Sequence, residues 1–218
     1  MKVPYENSYL LACDKLAGLN LEDVAFNSSS KLEGTTLYLD LINESFAVAE
    51  AGKNISLPSS NREVKISEKI LLLHYLTTSD GFPLQREDAT LENIPGAAFY
   101  YATYKARTIN QIASRFNSSS NEFTEAAKSI GFKITEETSQ YCRLKSLVLP
   151  NVPISFVLWK NITDVPLTQT ESKYEFESLK ILYDASITHY LPLEDIIILT
   201  ELVAYKIIKS ADPASYLK

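Results

Sequence analysis

The sequence predicts an α+β protein, an antiparallel sheet packed with several helices in a single domain spanning 1–218. Three observations carry this. Helical spacing of apolar residues marks the N-terminal region, the middle of the first half and the C-terminal end. Between the later helices lie four strand-like runs, separated by Pro150, Pro153 and a polar insert. A chain of 218 residues with 45% apolar content is long enough to bury one sizeable core.

Taken in order, Tyr9, Leu10, Cys13, Leu16 and Ala17 form the first helical face, and Gly18 offers its stop. A Ser-rich linker is expected next. From Thr35 to Ala49, Leu37, Leu39 and Leu41 alternate, then Phe46 and Val48 continue beyond the turn-like Asn43-Glu44, which reads as a β-hairpin. The Asn54–Asn61 loop leads into Ile66–Thr78, which is apolar nearly all round; such a helix belongs in the core. Gly81 and Pro83 are expected to end it. After the Pro95-Gly96 break, Phe99, Tyr100, Tyr101 and Tyr104 precede a helical pattern through Ile109, Ile112, Ala113 and Phe116. A further helix is expected over Asn121–Ile130. Strands follow at Phe132–Ile134, Gln140–Leu149, Val152–Trp159 and Leu179–Tyr183, with the polar insert Thr163–Glu177 before the last. The final helix has Pro192 at its first position, Glu194 and Asp195 in the positive first turn, and Lys206 and Lys209 in the negative last turn.

Composition excludes several classes of function. A net charge of -6 offers no extended cationic surface to a phosphate backbone, which argues against nucleic acid as a partner. The longest apolar runs, Ile70–Leu73 and Ile196–Leu199, are far shorter than the roughly 20 residues of a membrane span, and Met1–Asn7 has no apolar signal core. A cytoplasmic protein is expected, in which Asn-x-Ser/Thr triplets carry no sugar. Cys13 and Cys142 are too few for a disulfide framework and are not spaced as a metal set. No phosphate-cradling glycine loop, nucleophile elbow or metalloprotease helix is present, and no repeat of 20 to 50 residues is visible.

Both histidines stand in the same tripeptide, His74-Tyr75-Leu76 and His189-Tyr190-Leu191. Imidazole ligates haem iron, cobalt or zinc and suits proton transfer, so two such elements facing a common cavity would make a metal or cofactor site. Hydrogen-bonded core roles account for the same residues. Tyr100, Tyr101 and Tyr104 with Phe99 and Arg107 have the aromatic faces and guanidinium that a planar anionic ring system needs, and core packing is the alternative. Glu194 and Asp195 are what a helix prefers in its first turn; beside His189, either would also serve an acid-base pair.

Several segments together, Lys69–Leu76, Ile94–Tyr100, Val152–Ile154 with Leu158-Trp159, Ile181–Asp184 and His189–Asp195, resemble in order and spacing the prokaryotic family called domain of unknown function 3786. The resemblance covers Ile66 to Ile208. It divides the chain into an N-terminal helix and hairpin segment, 1–62, and a family-like core, 63–218. It implies no established activity; members occur in anaerobic bacteria and archaea, and some are fused to an iron-sulfur module whose cysteine cluster is missing here. The chain departs from the family pattern after Trp159, where Asp164-Val165-Pro166 opens a longer polar insert. Together these readings lead to an accessory binding protein for a tetrapyrrole, haem or a corrinoid. His74 and His189 would be its metal ligands, and Tyr75, Tyr100, Tyr101, Tyr104 and Arg107 its pocket. An enzyme using His189 with an adjacent carboxylate, and a protein-interaction domain without small ligand, are the alternatives.

Overall fold

The computed structural model describes residues 4–116, 119–159 and 179–212. Helix α1 (Pro4–Ala17) buries Ala12, Cys13 and Leu16 and begins earlier than its apolar spacing suggests. In place of the Ser-rich linker stands a second helix, α2 (Leu21–Ser28). Its cause is Asn20, whose side-chain oxygen accepts from the amides of Glu22 and Asp23 at 2.8 and 3.2 Å, satisfying donors that a helix start leaves open.

The expected hairpin is β2 (Thr36–Leu41) and β3 (Glu44–Ala49), joined by Ile42 and Asn43 at φ 49° and 61°. Two consecutive positive φ values give the turn a twist that matches the strands. Flanked by β1 (Lys31–Glu33) and β4 (Asn54–Ser56), the hairpin becomes a four-stranded antiparallel sheet in sequence order, a second sheet that the sequence did not announce. Next, α3 (Ile66–Thr78) is central, as its all-round apolarity requires: Ile70 to Leu73, Tyr75 and Leu76 are buried. It approaches the chain after β3 so closely that a Cβ on Gly52 would lie 2.4 Å from Leu73 Cδ2. It ends at Thr78, before Gly81, with the Ser79 hydroxyl donating to the Tyr75 carbonyl at 2.7 Å.

The helical pattern before Phe116 is broken into α4 (Tyr101–Arg107) and α5 (Ile109–Phe116) at Thr108, whose φ of -119° and ψ of -82° leave the helical region. Ser119 caps α6 (Ser120–Ser129). The second sheet contains β5 (Asp88–Ala89), β6 (Lys133–Glu137), β7 (Tyr141–Leu149), β8 (Val152–Trp159) and β9 (Leu179–Asp184), all antiparallel in the order β5-β9-β8-β7-β6. Its inner face carries Leu144, Ile154, Phe156, Ile181 and Tyr183, on which α5, α6 and the last helix, α7 (Leu193–Ala211), close the core. Pro192 is the residue just outside α7 rather than its first member.

The two sheets share one hydrophobic cluster. They are tied directly by the Ile42 amide, which donates to the Val148 carbonyl at 2.8 Å, while Glu44 on β3 takes Arg62 from the following loop and Lys206 from α7. Among the described residues no helix is long and apolar enough to cross a membrane. The insert Thr163–Glu177, with Asp164-Val165-Pro166, lies outside the described residues.

Candidate functional site

The two histidines exchange partners. His74, on α3, places Nδ1 2.6 Å from Asp195 in the first turn of α7, and His189 places Nδ1 2.7 Å from Asp80, just beyond α3. Asp80 follows His74 by six residues, and Asp195 follows His189 by six, so the pattern His-Tyr-Leu-x-x-x-Asp occurs twice and each imidazole takes the other copy's carboxylate. Tyr75 and Tyr190 stack with centroids 6.3 Å apart and planes 22° from parallel. Both rings are fully buried, so this contact is solid core. The Tyr75 hydroxyl reaches the Ser28 and Pro150 carbonyls, and the Tyr190 hydroxyl donates to the Phe82 carbonyl.

A carboxylate only accepts, which fixes the ring proton on Nδ1 and leaves Nε2 of a neutral ring as the acceptor. About a third of each side chain is exposed, His74 at 34% and His189 at 35%, so both imidazoles are oriented by a carboxylate while remaining open to solvent. Each ring is held by its own carboxylate. Asp195 serves His74 and not His189, and Glu194 accepts from the Tyr100 hydroxyl at 3.1 Å, so the sequence-adjacent acid pair for His189 is replaced by Asp80.

The aromatic candidates do not form one wall. Tyr104 is 2% exposed, and its hydroxyl lies 2.9 Å from that of Tyr183, which continues to Thr200 at 2.8 Å. Burial pushes Tyr183 up to about 12 and Tyr104 well above the usual tyrosine value, so both stay neutral links in an internal chain. Tyr101 and Tyr104 border a notch of about 20 Å³, room for one water. Tyr75 is wholly buried; Tyr100 is exposed on the α7 side; and Arg107 points to Glu201, 3.6 Å away.

A larger hollow lies elsewhere, on the outer face of the five-stranded sheet. It measures about 520 Å³, within the range of small-molecule sites, and its lining includes Leu84, Arg86, Asp88, Glu136, Arg143 and Lys145. One wall is the strap 79–88, which is fastened along its length. Phe82 stacks on the His189 ring at 3.9 Å and 8°, and Arg143 grips Asp88 with two bonds of 2.6 and 2.7 Å. Asp184, at the end of β9, accepts from the amides of Gln85 and Arg86 at 3.0 and 2.8 Å and from the Ser186 amide and hydroxyl at 3.0 and 2.6 Å. His189 is thus part of what holds this wall.

These bonds set a pH dependence. Burial alone would raise the Asp184 carboxyl, but the Ser186, Gln85 and Arg86 donors outweigh it and hold the group below its ordinary 3.8. The hydrogen bond to His189 does the same for Asp80. A carboxyl whose folded value is depressed adds stability above its unfolded value and loses it as pH falls through the folded value. Unfolding midpoints in urea should therefore decline below about pH 4. Asp184→Asn should flatten that decline; an unchanged acid limb would contradict the role given to Asp184.

The lining of this hollow was not singled out in the sequence, because Arg143 and Lys145 alternate on a strand as any solvated sheet face does. The Asp partners were findable, since the six-residue spacing is repeated. A family model described as domain of unknown function (DUF3786) matches residues 20–206. The chain belongs to this family. The DUF3786 match begins at the α2 cap, well before Ile66, and takes in the first sheet, leaving α1 and the end of α7 outside. It includes both copies of the His-Tyr-Leu-x-x-x-Asp pattern and the whole described lining of the outer hollow. No curated protein and no solved structure matches the chain.

Proposed function

We propose that this DUF3786 protein is an accessory binding protein for a small polar cofactor or metabolite, seated in the outer cleft of the five-stranded sheet. The observation that carries this is the cleft itself: about 520 Å³, edged by charged groups of both signs, and walled by a strap fastened at both ends. Preorganised walls lower the ordering cost of binding. A reducing, cytoplasmic setting accords with Cys13 and Cys142, both buried and unbridged.

A tetrapyrrole held by histidine is the second reading, favoured by two imidazoles whose Nδ1 atoms are fixed by carboxylates and whose Nε2 atoms remain for a metal. The buried Tyr75 and Tyr104 would not wall such a ligand, which would sit at the surface beside one histidine.

One comparison separates the two. Amide shift mapping with a panel of polar acids, bases and sugars should move residues 84–88, 135–136, 143–145 and 153–155. Anoxic visible titrations with haem and cobalamin, repeated on His74→Ala and His189→Ala, should show no saturable histidine-dependent band. A band lost in either variant would move the function to that histidine. A panel that leaves the cleft amides unmoved would end the cleft reading.

A further inference from the structure

We infer that the cleft is an anion site, in which Arg86 and Lys145, with Lys133 opposite Lys145 on the next strand, receive a metabolite-sized ligand bearing carboxylate or phosphate groups. This rests on the cleft reading above and deepens it. The acids at the cleft already hold partners: Asp88 the guanidinium of Arg143, Asp184 four neutral donors, and Glu136 the Tyr141 hydroxyl. Arg143 is matched as well, through Asp88 and the Ser155 hydroxyl at 3.2 Å. Arg86 and Lys145 line the same hollow, and among the described residues neither has a carboxylate partner.

Two locally unfavourable features converge here. Arg86 sits at φ 58°, a left-handed conformation that is unfavourable for a side-chain-bearing residue. The strap uses glycine for such a turn at Gly81, φ 77°, where a Cβ would also lie 2.7 Å from Asn27 Oδ1. At position 86 it keeps an arginine and commits the buried Asp184 to holding the backbone in place. The second feature is the register of β6 on β7, which sets Lys133 directly opposite Lys145. Like charges in that position repel. A bound anion relieves the repulsion and gives the strained Arg86 a counter-ion, while Leu84 and Pro153 supply an apolar margin where charge attraction is less screened.

The test is calorimetric titration with pyrophosphate and with citrate at fixed ionic strength, with spermidine and glucose as controls, and amide shift mapping for location. The variants are Lys145→Gln and Arg86→Gly; glycine accepts φ 58°, so that variant should melt no lower than the parent. Either anion should bind at the cleft, weaken about tenfold in each variant and weaken with added salt. Preference for pyrophosphate assigns a phosphorylated ligand, and preference for citrate a carboxylated one. Anion binding unchanged in both variants would overturn the inference. Spermidine or glucose moving the cleft amides while the anions do not would overturn it and leave the binding cleft standing. If no probe moves those amides, both readings fall.

Discussion

Phe156→Ala is expected to destabilise the protein by about 3–5 kcal/mol, a large part of the roughly 5–15 kcal/mol by which domains are stable. Phe156 lies on β8, the middle strand of the five-stranded sheet, and is fully buried. Phe123 from α6 meets it edge-on with centroids 5.5 Å apart, and Phe132 lies tilted at 5.1 Å. Truncation opens a void that the packed elements around it, each hydrogen-bonded elsewhere, cannot close. Urea melts should show the loss as a lower midpoint at unchanged slope, with Phe156→Leu costing far less because most of the volume remains. A loss under about 1 kcal/mol for the alanine variant would mean that the helices do not pack on the sheet as described.

Asp184→Ala is expected to cost about 2–3 kcal/mol, because it leaves the amides of Gln85, Arg86 and Ser186 without their acceptor. The loss should be local first. Hydrogen exchange and proteolysis within the strap 79–88 should accelerate, while α7 amides keep their protection. Asp184→Asn separates the bonds: its remaining oxygen can still serve Gln85 and Ser186, whereas its amide nitrogen opposes the Arg86 amide, so the exchange change should centre on Arg86. Strap exchange that does not change in either variant would remove Asp184 from its anchoring role.

How legible these features were follows from the range over which each is determined. The central place of α3 was readable because Ile70–Leu73 leave no polar side, and the hairpin β2-β3 was readable because alternation and turn are local. Strands β1, β4 and β5, of two or three residues, are too short for any period to register, which is why the first sheet was seen only as a hairpin. Helix α2 was hidden by the serines at and after its end, Ser28 to Ser30, although Asn20 and the acids behind it signal a start. The break at Thr108 interrupts a continuous apolar spacing and was invisible to it. For the site, the doubled His-Tyr-Leu was evident, but its pairing was not, since the partners lie 121 and 109 positions apart. The outer cleft has no sequence signature, because it depends on which strands become neighbours.

The crossed histidine and aspartate pairs also govern the order in which the molecule can be completed as it leaves the ribosome. His74 and Asp80 emerge early, on and just beyond a helix whose apolar surface faces all directions, and neither meets its counterpart until a chain more than a hundred residues longer has been made. At about 5–20 residues per second that delay is on the order of 5–25 s. Throughout it the first copy of the pattern holds an imidazole and a carboxylate that cannot satisfy each other through the native contacts. Newly made chains stopped before position 189 should therefore remain clients of apolar-binding chaperones, and release should coincide with the synthesis of α7.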